Sequence, residues 1–403
     1  MTPIYKDFIM SVVPIVINTF PGGKFQLEKR LWQGCPTILR TPRGRLYAGW
    51  YSGGTGEPDS CNYNLLIKSD DDGWSWSAPV AVVESDMTKD YIAIEIQLWL
   101  DPSNRMWMFI TQRYLGGDRA IEDHDHLALW ASVCDDPDAD ELVWSTPQYI
   151  ANCFLRTQPL VLSNGDWVLG AYNWCDEYYH YSRSKDQGKT WFSCKAGKKL
   201  LPDYDESMIL ERKDGTLLMF ARDFRPLMVK CVSSDLDGTS WSDGAYTGIL
   251  NARTRFYLRR LNSGRVLLIH NDASDYRRNL VAKLSEDDGE TWPWQLQLDD
   301  AEYPEREISY PDAVESPDGR IFIVYDRGRS INREILMAQI TEEDIIKGVV
   351  TREDSYLKRI ISKAPVPADT EQYEKLKAAR LMWIKQMFTP LCRNNDLFSG
   401  KIK

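Results

Sequence analysis

An all-β fold, a six-bladed β-propeller, is predicted by three features of this 403-residue sequence: a hairpin pattern that recurs six times, a turn motif written three times, and no sustained helical periodicity before about residue 365. The hairpins are CPTILRTPRGRLYAGWY, EIQLWLDPSNRMWMFIT, RTQPLVLSNGDWVLGAY, ESMILERKDGTLLMFAR, RFYLRRLNSGRVLLIHN and YPDAVESPDGRIFIVYD. Their turn residues are Gly44, Asn104, Gly165, Gly215, Gly264 and Gly319, separated by 60, 61, 50, 49 and 55 residues. A third apolar segment follows each one, as in NYNLLIKS or NLVAKLS. Units of this length with three or four short strands have the size of propeller blades.

The turn motif S-x-D-x-G-x-[ST]-W stands as SDDDGWSW from Ser69, SKDQGKTW from Ser184 and SEDDGETW from Ser285. Worn copies, CDDPDADELVW and SSDLDGTSW, follow the second and fourth hairpins. Ser and Asp suit a tight turn because their side chains bond its backbone, Gly takes positive φ, and Trp fills the gap between strands. The motif is therefore read as a staple of the fold, with its Asp residues outside the chemistry. A propeller must also close, and the apolar N-terminal strand SVVPIVINTF is expected to complete the last blade and remove an exposed edge. Residues 1–365 are thus one propeller. Residues 366–403 are a helical extension, since TEQYEKLKAARLMWIKQMF places Tyr373, Leu376, Ala379, Leu381, Ile384 and Met387 at helical spacing. That face is expected to pack on the barrel or to mediate self-association into a homo-oligomer.

Composition narrows the function. With 43% hydrophobic residues and 15 Trp the chain is globular, and a net charge of −10 offers no general attraction to nucleic acid or an anionic membrane. No apolar run approaches the ~20 residues needed to span a bilayer. The N-terminal apolar segment lacks the basic start and small-residue cleavage site of a secretory signal. The eight Cys are scattered without a C-x-x-C pair, so free thiols and a cytoplasmic location are expected. No metal or cofactor is expected, and EDHDH, with His124 and His126, is read as a solvated turn.

The first strand of each blade lines the central channel, so residues at one offset from the turns should converge there. Nine positions before the turn residues stand Cys35, Glu95, Arg156, Glu206, Arg255 and Tyr310. Carboxylates, guanidiniums and a phenol pointing into one funnel suit an acidic or polyhydroxylated ligand. Gln97 and Asp312 on the same strands join the binding candidates. Trp50, Tyr51, Trp99 and Trp174 lie near blade tops, where some could stack on sugar rings and others pack between blades.

Over roughly residues 30 to 345 the chain resembles the sialidase superfamily, six-bladed propellers that carry this repeated Asp-box. The resemblance implies a glycoside hydrolase of exo-sialidase type. ESMILERKDGTLLMFAR supplies Glu206 and Arg222 in that family's E...DG...R arrangement, SYPDAVESPDG offers Tyr310 as the nucleophile, and DYRRNLVAKLS offers Arg277 with Arg278 beside it. The acid/base carboxylate, a dozen residues before the first box, falls on Glu57, with Asp59 nearby. One element departs: where the family has R-I-P, the first member of a three-Arg clamp, this chain has QGCPTI with Gly34 and Cys35. A lost guanidinium removes a contact of about 1.5 to 3 kcal/mol. Small residues there should leave room beneath the sugar, so ordinary sialosides are expected to be poor substrates and other acidic or neutral glycosides better ones, held by Arg222, Arg277, Arg255 and Arg156.

In physical terms, a Tyr of normal pKa near ~10 needs a carboxylate to take its proton as it attacks an anomeric carbon. Glu206 fills that role, and Glu57 would protonate the leaving oxygen. Two other readings stay open. One is a uronate- or rhamnose-directed lyase or glycosidase using Tyr310 or His180 for proton transfer, distinguished by an unsaturated product. The other is a non-catalytic carbohydrate-binding propeller, which would bind without turnover.

Overall fold

The computed structural model describes residues 13–114, 127–172, 176–201, 205–301, 307–366, 371 and 373–382. Six antiparallel blades, the third of them split into two sheets, surround a central axis, each beginning at the axis and ending at the rim. The first blade is Trp32–Arg40, Leu46–Gly53, Tyr63–Ser69 and Ala81–Glu84; the second is Tyr91–Leu100, Met106–Tyr114, Leu127–Cys134 and Gln148–Ala151. In the third, Phe154–Leu155 pairs with Ala171–Tyr172 above a four-stranded sheet of Leu160–Val161, Trp167–Leu169, Tyr178–Ser184 and Phe192–Lys198. The fourth runs from Ser207–Glu211 to Ala245–Leu250, the fifth from Tyr257–Arg260 to Trp294–Asp299, and the sixth from Ile308–Glu315 to Tyr356–Lys363.

Closure differs from the expectation. The sixth blade draws its outer strand, Tyr356–Lys363, from the C-terminal side, so nothing remains for the N-terminal strand to complete. Within the described part of that strand, Ile17–Asn18 pairs instead with Ala81–Glu84 and covers the rim edge of the first blade. The ring is latched at the axis: Thr37 in the first blade donates to Asp312 in the sixth at 2.6 Å, and the Gln33 amide donates to the Arg329 carbonyl at 3.1 Å.

The three intact boxes have one geometry. In the first, the Gly73 amide donates to Ser69 Oγ at 2.9 Å, the Ser75 amide to Asp71 at 2.8 Å, and the Trp76 indole to the Gly73 carbonyl at 3.2 Å. The turns at Gly188 and Gly289 repeat the amide contacts within 0.1 Å. Gly188, at φ +84 beside +82 and +89 for its counterparts Gly73 and Gly289, packs so close to Trp107 and Trp167 that a Cβ would come within 2.7 Å of the first, which explains the glycine. Asp71 and Asp287 are exposed and Asp186 half-buried, and none of the three lines the cavity at the axis. Hydrogen bonds from Ser75 and Thr190 hold Asp71 and Asp186 at about 2, and at Asp287 the bonds from Thr291 prevail over partial burial to the same value. Depressed carboxyls contribute stability that is complete above their unfolded value of ~3.9 and is lost as pH falls towards 2. Thermal melts should therefore show a steep loss of Tm between pH 4 and 2, shallower in an Asp71→Asn/Asp287→Asn variant; parallel curves for the two proteins would show that the boxes are not the cause.

Candidate functional site

The inner strands open into a cavity of about 410 Å³ at one end of the axis. Four of the six offset residues, Glu95, Arg156, Glu206 and Tyr310, line it, and Cys35 lies against Arg156 beside them. The Arg156 guanidinium forms a very short ion pair with Glu95, lies 3.5 Å from Glu206 and 3.4 Å from the Cys35 sulfur, and its carbon sits 4.7 Å from the Tyr310 ring centre. Backbone bulges aim two of the residues inward: the register slips between Gly34 and Thr37 and between Ser309 and Asp312. Cys35 and Tyr310, each followed by Pro, take φ of 56° and 55°, a left-handed conformation sustained only by its surroundings. The Cys35 amide is fixed by Asp326 at 2.8 Å.

Tyr310 is the centre of the arrangement. Its hydroxyl donates to Glu206 Oε1 at 2.6 Å and accepts from Arg222 at 3.2 Å, while Arg222 donates to Glu206 Oε2 at 2.8 Å. The guanidinium carbons of Arg329, Arg156, Arg277 and Arg255 lie 4.2, 4.7, 5.3 and 5.4 Å from its ring centre. Burial pushes the Tyr310 phenol up despite these cations, so it is protonated at rest. Burial also opposes ionisation of Glu206, but Arg222 and Arg156 outweigh it and hold the carboxyl at about 2. The pair is thus a phenol hydrogen-bonded to a carboxylate. Glu95 moves the opposite way: burial, with Glu206 and Glu57 nearby, raises it against the pull of Arg156.

Glu57 reaches the cavity from its rim loop. Burial raises its carboxyl, but Arg329, which donates at 2.7 Å, with Arg156, Arg380 and Arg277, leaves it below the ordinary carboxylate range. Arg277 pairs with Glu307 at 3.2 Å and lines the cavity with Arg222.

Other candidates lie elsewhere, and each for a visible reason. Asp59 folds back on its own loop, accepting from Thr55 and from the Cys61 amide at 2.9 Å, so it does not face the cavity. Arg255 donates to the carbonyls of Arg156, Pro36, Tyr310 and Pro311 and braces the bulged strands. Gln97 and Asp312 stand two residues beyond the ring positions, one layer deeper. There Thr37, Gln97 and Gln158 all donate to Asp312, making a polar plug under the floor. Arg278 is held by Asp275 at 3.0 Å, and His180 by Asp176 at 2.8 Å, both away from the cavity wall. Trp50 and Trp99 are buried packing residues, whereas Tyr51 lines the cavity. His124, His126 and Trp174 lie outside the described residues, among which no His, Cys, Asp and Glu cluster could hold a metal ion.

The space expected beside Gly34 is filled. A Cβ at residue 34 would meet the Cγ, Cδ and Nε of Arg329 at 2.9 Å. This Arg comes from the loop after the second strand of the sixth blade, is fully buried, and binds Asp326 at 3.1 Å and Ser309 at 3.2 Å as well as Glu57. A guanidinium therefore stands beside position 34 although the residue there is Gly. The lining also includes Arg113 and, from the C-terminal helix, Leu376, Ala379 and Arg380, which sequence reasoning did not assign to the site.

The sequence matches the BNR repeat-like domain over residues 44–323, most of the chain. The chain belongs to that family. Among solved structures, the fold is similar to a Hadza microbial sialidase (18% identity, TM-score 0.64, 79% of this chain and 67% of that one). It is also similar to the intramolecular trans-sialidase of Ruminococcus gnavus (15%, 0.65, 82% and 98%) and to the leech intramolecular trans-sialidase (15%, 0.63, 82% and 70%). No curated protein matches the sequence. At these identities the likeness is one of fold: this BNR repeat-like protein is a six-bladed, sialidase-like propeller. No helix among its described residues is long and apolar enough to cross a membrane.

Proposed function

We propose that this BNR repeat-like protein is a retaining exo-glycoside hydrolase acting on terminal sugars that bear a carboxylate. The observation that carries the reading is the 2.6 Å hydrogen bond from the Tyr310 phenol to an ionised Glu206, set in a cavity ringed by guanidiniums. A neutral nucleophile suits an anionic sugar because it adds no like charge before bond formation. Tyr310 attacks the anomeric carbon as its proton passes to Glu206, the glycosidic bond breaks, and Glu57 protonates the leaving oxygen. Water then releases the sugar: Glu57 takes a proton from it, and Glu206 returns one to Tyr310. Arg222 and Arg277 face the substrate carboxylate, and Arg156 steadies Glu206 from the opposite side. The cavity volume is at the low end of the ~300–1,000 Å³ of small-ligand sites and suits one terminal sugar.

Because Arg329 occupies the volume beside Gly34, the steric case for a sugar other than sialic acid no longer holds, and sialosides are the first class to test. A panel of aryl glycosides should show aglycone release from sialosides or uronides and little from neutral sugars. Preferential turnover of neutral glycosides would refute the reading, and an unsaturated, ultraviolet-absorbing product would replace it with a lyase.

For the general acid the sign of the pH dependence is fixed. A carboxyl with a depressed pKa is protonated only as pH falls, so activity that needs protonated Glu57 should rise from neutral pH into the acid range, until Glu206 itself protonates near 2. A kcat/KM profile rising towards alkaline pH would exclude Glu57 from this role.

A further inference from the structure

The amphipathic C-terminal helix, residues 373–382, contributes Leu376, Ala379 and Arg380 to the cavity wall. Tyr373, Leu376 and Arg380 share one helical face, at spacings of three and four. The Tyr373 hydroxyl donates to the Ile331 carbonyl at 3.3 Å and its ring lies 5.4 Å from the Arg333 guanidinium carbon, which anchors the first turn on the sixth blade. One turn on, Leu376 joins the cavity wall, and Arg380 grips Glu307 with Nε at 3.1 Å and with a very short second contact. Glu307 is the carboxylate that also binds Arg277 at 3.2 Å, and all three groups are largely buried.

We propose that Arg380 is a specificity-determining residue of the cavity: by sharing Glu307 with Arg277, it keeps the anion-binding side positively charged. Arg277 and Glu307 alone sum to zero, so a substrate carboxylate approaching Arg277 would meet the field of Glu307 as well. With Arg380 the trio is +1, and Glu307, held at about 2 against burial by Arg380, Arg277 and Arg329, keeps its proton off throughout the working range. An element outside the propeller thereby sets the charge of a propeller site, and Leu376 and Ala379 narrow its mouth towards a single terminal sugar. This rests on the reading of the substrate as a carboxylate sugar.

The test uses the full chain and two probes of one shape, the glycal of sialic acid and its methyl ester, titrated by calorimetry. Arg380→Ala should weaken the carboxylate probe roughly 10-fold or more and the ester much less. Adding Glu307→Gln should restore carboxylate affinity although the helix has lost its anchor, because the uncompensated charge is gone. Equal weakening of both probes, no weakening, or no recovery in the double variant would overturn the inference. If the wild-type protein binds neither probe, the assignment to sialic acid fails, and hydrogen exchange over residues 373–382 decides the remaining point. Slow exchange in the wild type that becomes fast in Arg380→Ala supports the docked helix; fast exchange in both overturns it.

Discussion

Tyr310→Phe should lower kcat at least ~10²-fold, the usual cost of deleting a proton-transfer or nucleophilic group, while leaving Tm almost unchanged. The substitution removes one oxygen and keeps the ring, so the packing of the Arg329, Arg156, Arg277 and Arg255 guanidiniums against it persists. Glu206 also keeps its ion pair with Arg222. Glu206→Gln should cost as much in turnover but more in stability, because Arg222 loses its carboxylate in a buried setting, where breaking such a pair costs about 3–5 kcal/mol. The two variants together separate chemistry from folding. Near-normal turnover by Tyr310→Phe on a substrate the wild type cleaves would remove Tyr310 as nucleophile, whereas loss of turnover in Glu206→Gln alone would point only to damage in the ion-pair network.

How much of this was legible in the sequence depends on whether a feature is local. Hairpins and boxes are local: strand, turn and staple lie within a few residues, so Ser69, Asp71, Gly73 and Trp76 carry their geometry in their spacing. The inner ring was legible for a related reason. Every blade starts at the axis, so a constant offset from the turn lands at a constant height, and it found Glu95, Arg156, Glu206 and Tyr310 together. The same logic distinguishes layers, since a step of two along a strand keeps the side chain at the axis but one level down. That places Gln97 and Asp312 in the plug rather than the cavity. Strand pairing across the ring was not legible, because an apolar strand such as the N-terminal one does not encode which exposed edge it will cover. Loop residues have no offset to read: Arg329 and Arg380 enter from a loop and a helix. Only indirect signals marked them, a glycine in an inner strand whose missing side chain something had to replace, and an amphipathic face whose partner, the barrel or a second copy, its sequence leaves open.

The largest structural effect is expected at Arg329. Arg329→Met keeps much of the side-chain volume but leaves Asp326 and Glu57 without their shared cation, and should destabilise the fold by about 3–5 kcal/mol, the cost of stripping one partner from a buried pair. It should also release Glu57. With its largest lowering influence removed, burial dominates, the Glu57 pKa rises, and the alkaline limb of the kcat/KM profile moves to higher pH. The decisive variant returns the guanidinium from the other side. Gly34→Arg alone should be strongly destabilising, since its Cβ would already stand 2.9 Å from the Arg329 side chain. In the Arg329→Met background the same substitution enters vacated space, and should recover part of the lost stability and return the pH limb towards its original place. A double variant no better than Arg329→Met, or an untroubled Gly34→Arg single variant, would show that the two positions do not share one guanidinium site.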